Sequence, residues 1–266
     1  FMGTMYSLQK QGIPLCFPLD QEAMVQAVTT NSKISNGLYS HLGENVSELK
    51  KTIASEVSRG ISTGASYSQV AKQISQKMIG TYKNHGGSLA YAERIARTEG
   101  HRIQVQAAMD ACYKAKERGA DIVKQWDATL DAKTRPSHVK VDGEIRELDE
   151  KFSNGLRFPS DPSGGAAEVV NCRCALLQRA RWALEGGFTK MDNFHKELLS
   201  FDSEKDYADF KKDFFSKENM QYMKYVNTLE ERYGTKNFNK LLEQMTDREY
   251  EHYSELLEKT PIYKKK

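Results

Sequence analysis

Residues 122–148 read IVKQWDATLDAKTRPSHVKVDGEIREL and residues 169–177 read VVNCRCALL, and these two stretches decide the fold. Ile122 to Trp126 is rich in β-branched and aromatic residues, which suit a pleated, half-buried surface. Asp142-Gly143, flanked by His138 to Val141 and Glu144 to Leu148, has the chemistry of a two-residue hairpin turn. In residues 169–177, Val170, Cys172, Cys174 and Leu176 fall on one face of a strand, and Asn171 and Arg173 on the other. The sequence therefore predicts an antiparallel sheet within residues 120–178, with the strand carrying Cys172 and Cys174 inside it.

Helices are expected on both sides of that sheet. Apolar residues from Ile34 through Leu38, Leu42, Val46, Leu49, Ile53 and Val57 recur every three or four positions, the stripe of one helix, ended near Gly60. Ser66 is placed to cap a second helix with Val70, Ile74 and Met78 on one face, stopped by Gly80. After His85-Gly86-Gly87, Ser88 opens a third long helix that runs to about Arg118 and ends at Gly119. From Gly186-Gly187 onward the chain reads as helical again, with the clusters Tyr207/Phe210/Phe214 and Leu241/Leu242/Met245 too aromatic and apolar for disorder. The expected fold is α+β, mainly helical with a small central antiparallel β-sheet. Its parts are a helical arm and bundle (1–87), a central α+β domain (88–185) and a helical C-terminal extension (186–266).

At 266 residues the chain is long enough to bury more than one core, and no apolar run approaches a membrane span. No membrane partner is expected. Phe1-Met2-Gly3 is not a natural start, so an N-terminal piece is expected to precede it. Cys16, Cys112, Cys172 and Cys174 are too few and too unevenly spread for a disulfide framework, which points to a reduced compartment. The net charge of +3 does not by itself imply nucleic acid.

The stretch from Ile95 to Cys174 carries a constellation in fixed order. Arg97-Thr98-Glu99 sits on a helix and is followed by Trp126, then by Asp131, Thr134, Arg135 and His138. Gly143, Phe152, Asn154-Gly155, Pro159 and Asp161-Pro162 come next, and Asn171-Cys172-Arg173-Cys174 closes it. This layout resembles the minor head proteins of tailed phages of the Mu F-like kind, the phage head morphogenesis family. The resemblance does not extend past about residue 185. It implies a structural virion component, non-enzymatic, assembled in the bacterial cytoplasm and resident in the virion head. Its implied partners are portal and capsid proteins, with packaged double-stranded DNA nearby. Domains of this family are sometimes fused to toxin or nuclease modules, so a toxin-like enzyme and a DNA-binding virion protein are the rival classes.

The residues admit several roles. Asp131 can cap a turn by accepting amide hydrogen bonds, and Arg135 can return a charge-assisted pair to Asp131 or Glu99, pinning the third helix to the sheet through a buried Arg–carboxylate–His group. Trp126 and Phe152 are then core aromatics, with the indole N–H seeking a partner. Cys172, Cys174 and His138 could instead converge on a zinc ion, with Cys112, His101 or Asp131 as a fourth ligand. The plainer reading makes the thiols small buried packing groups, and no cofactor is then required. Arg94, Arg97 and Arg102, in a stretch with an excess of bases, could face phosphate, against the plainer alternative of a solvated or salt-bridged helix face. Glu99, Asp131 and His138 could be imagined as acid–base groups, but no metalloprotease helix, phosphate-cradling loop or nucleophile elbow accompanies them.

Overall fold

A computed structural model describes residues 46–78 and 88–262. It is mainly helical, with two small antiparallel sheets, an α+β fold. Three helices open it: α1 (Val46–Thr63), α2 (Tyr67–Met78) and α3 (Ser88–Glu117). The expected part of the first helix before Val46, the stop at Gly80 and the break at residues 85–87 lie outside the described residues. Gly60 does not end α1 as expected; it lies inside it, where a Cβ would sit 2.2 Å from the Val70 side chain. The glycine lets α1 and α2 approach, and the stop falls to Gly64 at φ +69°. Ser66 and Gln69 form a reciprocal cap: the Ser66 amide donates to Gln69 Oε1 at 2.7 Å and the Gln69 amide to Ser66 Oγ at 3.3 Å.

The long α3 serves two cores. Ala92, Ile95, Ala96 and Ile103 pack with Ile53 and Val57 of α1 and Val70, Ala71 and Ile74 of α2. Further along, Val105, Met109, Cys112 and Ala115 line a second core with the sheet. Gly119, at φ +89°, turns the chain into β1 (Ile122–Asp127). β1 is the centre of a three-stranded sheet, paired antiparallel with β2 (Ile145–Arg146) and β3 (Ala175–Ala180), with Lys124 opposite Arg146 and Trp126 opposite Leu176.

Two expected strands are corrected. His138 to Val141 is not a hairpin arm but part of a short helix, α4 (Pro136–Val141). Pro136 follows an extended Arg135, a pairing that starts a helix because proline's fixed φ suits its first position. Asp142-Gly143 then turns from α4 into β2: the Asp142 carboxylate accepts the Ala128 amide at 2.7 Å, and the Gly143 amide donates to the Trp126 carbonyl at 2.9 Å. The second correction concerns residues 169–177. Ala166–Val169 is a single helical turn (α5), Asn171 takes φ +54°, and pairing begins only at Ala175. A left-handed residue cannot continue a strand. The in/out alternation survives without the sheet, for Cys172 and Cys174 are buried while Asn171 and Arg173 are exposed.

By packing, the described residues divide into one compact unit made of 46–128 and 135–183 and a second made of 129–134 and 184–262. The second unit does not start on a helix, as expected, but on a hairpin of β4 (Phe188–Asp192) and β5 (Glu197–Phe201). The Asp192 carboxylate accepts the Phe194 and His195 amides at 2.9 and 3.0 Å, which closes the turn that the charged composition had hidden. Four helices follow: α6 (Glu204–Phe214), α7 (Lys217–Tyr233), α8 (Phe238–Gln244) and α9 (Asp247–Lys259). Each begins at a side-chain cap, in turn Ser203, Ser216, Asn237 and Thr246. Gly234, at φ +64°, ends α7. Among the described residues no helix is long and apolar enough to cross a membrane.

Candidate functional site

Three chain segments meet beneath the sheet. α4 presents His138, the segment entering β3 presents Cys172 and Cys174, and α5 presents Glu168. His138 Nδ1 lies 3.2 Å from Cys174 Sγ and 3.8 Å from Cys172 Sγ. The ligating atoms of all three residues lie within 4.8 Å of one another, and all three residues are buried. His138 Nε2 is 3.0 Å from Glu168 Oε2, which also accepts from Ser137 Oγ at 2.8 Å. A carboxylate can only accept from the ring, so Nε2 carries the proton and the Nδ1 lone pair faces the two sulfurs.

The electrostatics of the thiols follow from their contact. A hydrogen bond from the Cys174 thiol holds Cys172 well below the ordinary thiol range, against the opposing effect of burial. Cys174, the donor of that bond, is pushed far up by it and by burial. The Cys112 thiol, away from this trio in the same core, is pushed up to about 12 by burial. Trp126 is fully buried and meets both His138 and Phe152 edge to face at 5.2 Å, and its indole Nε1 has no hydrogen-bond partner.

The remaining motif residues fasten this centre to α3. His101 Nε2 donates to the Cys174 carbonyl at 2.8 Å, and the Asn171 amide donates to Thr98 Oγ1 at 3.1 Å. Glu99 is buried and held by Arg102 at 2.8 and 3.1 Å. The expected Arg–carboxylate–His group is therefore differently wired. The carboxylate on His138 is Glu168, and the Arg135 guanidinium donates to the carbonyl of Val170. Asp131 caps its turn, accepting the Lys133 amide at 2.9 Å and the Thr134 hydroxyl at 3.2 Å. Gly143, at φ +83°, occupies the turn into β2, and Arg173 is exposed.

The basic candidates separate. Arg94 and Arg97 are exposed on α3, and Arg97 reaches Glu93 at 3.4 Å. Arg102 is 2% exposed and committed to Glu99, so it is corrected from a phosphate contact to a structural residue. Sequence reasoning missed Glu168, which stands among small loop residues without a motif of its own. It also missed Lys124, fully buried on β1, whose ammonium donates to the Leu148 and Glu150 carbonyls at 2.8 and 2.5 Å.

Chemically, Cys174, His138 and Glu168 have the order of nucleophile, base and orienting group. Cys174 and Cys172 are only 2% and 4% exposed, a burial that leaves little room for a substrate at their thiols. The arrangement suits packing or a soft metal ion better than turnover.

Residues 51–177 match the sequence profile of a family described as phage Mu protein F like protein. The chain is 38% identical over 133 residues to the minor head protein GP7 of Bacillus phage SPP1, covering 49% of this chain and 41% of that protein. It is also 32% identical over 212 residues to a protein of Enterococcus faecalis named NAD(+)–arginine ADP-ribosyltransferase EFV, covering 76% of this chain and 40% of that one. The second match is longer than residues 51–177, so that likeness continues outside the family block. The chain thus spans well under half the length of either relative. No solved structure matches it.

Proposed function

We propose that this chain, whose residues 51–177 match the profile of phage Mu protein F like proteins, is a minor head protein of a tailed phage, a structural part of the virion that acts in head morphogenesis. The observation that carries this reading is the family match of residues 51–177 together with the likeness to a protein named for that role. The site supports it: the motif residues Thr98, Glu99, His138, Asn171 and Cys174 are joined to one another or to buried neighbours, as in a scaffold. Portal and capsid proteins are the partners this role requires. Exposed Arg94 and Arg97 are the residues left for contact with packaged DNA. An amber mutation in the encoding phage tests the role. Heads that assemble aberrantly or fail to give infectious particles, with rescue in a suppressor host, are expected. Normal titres without the protein would contradict it.

A second reading is favoured by the relative named an ADP-ribosyltransferase: the chain would share in an enzyme that modifies arginine. Incubating the purified chain with labelled NAD and an arginine-rich acceptor separates the two. The head-protein reading expects no transfer above the level of a boiled sample.

A further inference from the structure

We propose that His138, Cys172 and Cys174 bind one zinc ion, a buried staple that joins α4 to the segment entering β3. The proposal does not depend on the role in the phage head. Tetrahedral zinc has Zn–S bonds of about 2.3 Å and Zn–N bonds of about 2.0–2.1 Å, which place a ligating nitrogen about 3.6 Å from each ligating sulfur. The Nδ1–sulfur distances here are 3.2 and 3.8 Å, on either side of that value. A simple S–H to imidazole hydrogen bond explains one sulfur beside Nδ1. It does not explain two, held there by a left-handed Asn171 and by a His101 bond to the Cys174 carbonyl.

Glu168 supplies an independent indication. Its carboxylate accepts a hydrogen bond from Nε2–H at 3.0 Å, and in the neutral ring this leaves the Nδ1 lone pair facing the sulfurs, the carboxylate–histidine arrangement that orients metal-bound imidazoles. Charge also fits. Two thiolates neutralise a divalent zinc, so the occupied site is neutral in a core whose other walls are Trp126, Phe152 and Leu176. Thiolate and imidazole select zinc over the hard cations, which prefer oxygen. The fourth position falls to a small ligand such as water.

The test uses the whole chain, expressed in zinc-supplemented medium and purified reduced without chelator. Mass spectrometry of the metal should give about one zinc per chain. Protein grown on cobalt should show an intense sulfur-to-cobalt charge-transfer band. Cys112→Ser and Cys16→Ser should keep the metal, whereas Cys172→Ser and Cys174→Ser should lose it. If the last two fail to fold, the cobalt band of the parent and of the two control variants decides. Chain free of zinc and lacking the band overturns the proposal, as does a band that survives Cys172→Ser and Cys174→Ser.

Discussion

Under the three-stranded sheet, Trp126 and Phe152 surround His138, Cys172 and Cys174, whereas the second unit gathers Phe201, Tyr207, Phe214, Tyr222 and Tyr253 into one core, with Phe201 edge to face on Tyr207 and Tyr222 tilted against Tyr253. The first core is polar at its centre, and its buried charged groups have specific partners, among them Glu99 with Arg102, Asp142 with the Ala128 amide and Asp161 with Arg157. The second relies on ring contacts and on helix caps. A buried polar network tolerates little substitution, because removing one member strands the other in a low dielectric. An aromatic core accepts changes that keep volume and shape. The contrast explains why the first unit is recognisable by residues in order and the second only by pattern.

The largest expected effect tests that intolerance. Arg102→Ala leaves Glu99 buried without its charge partner and should cost about 3–5 kcal/mol in urea denaturation. Replacing both, Arg102→Met with Glu99→Leu, should recover most of the loss. A single mutant as stable as the parent would break the comparison.

Arg135 should matter less than a buried ion pair would. Its guanidinium is half-buried and holds a backbone carbonyl, so Arg135→Ala should cost about 1.5–3 kcal/mol, the range for a charged hydrogen bond. A loss as large as that of Arg102→Ala would point to a carboxylate partner instead.

Asp161 brings pH into the first unit. Burial raises its pKa, but hydrogen bonds from Arg157 and Ser163 outweigh burial and hold the carboxyl below its usual range. A carboxylate depressed in the fold contributes stability above its unfolded pKa of about 3.9 and loses it as pH falls through the lower folded value. Thermal melts below about pH 4 should therefore show an acid limb. Asp161→Asn should flatten it, and an unchanged limb would assign acid unfolding to other groups.

The smallest effect belongs to the second unit. Thr246 and Glu249 form a capping box at the start of α9, and Thr246→Ala should cost about 1 kcal/mol. A loss several times larger would mean that the second unit, too, hangs on single polar contacts.

Much of this was legible in the sequence. Helix spacing located α2, Ser88 and Gly119 bounded α3, β-branched residues located β1, and the thiols were grouped by a shared strand face with His138 in a neighbouring hairpin. That grouping was wrong in detail and right in consequence. Residues 169–174 are a turn that mimics strand alternation, because Asn171 resets the backbone between two inward residues. Asp142-Gly143 was misread because a local turn signal does not say which elements it joins, and Pro136 had already committed the preceding residues to a helix. Glu168 was invisible because its meaning lies wholly in a contact 30 residues away. The hairpin at 188–201 was hidden by its charges, for Lys190 is buried against the Tyr207 ring, where a lysine does not ordinarily mark a core face.

The claim that the chain is a head protein is tested most directly by the protein inventory of purified phage particles. Virions from the encoding phage, banded by density and stripped of loosely bound protein, are digested and analysed by mass spectrometry. Peptides from both residues 51–177 and 184–262 should be present in particles and in tailless heads. Their absence from heads, with the chain found only in the lysate, would contradict the account.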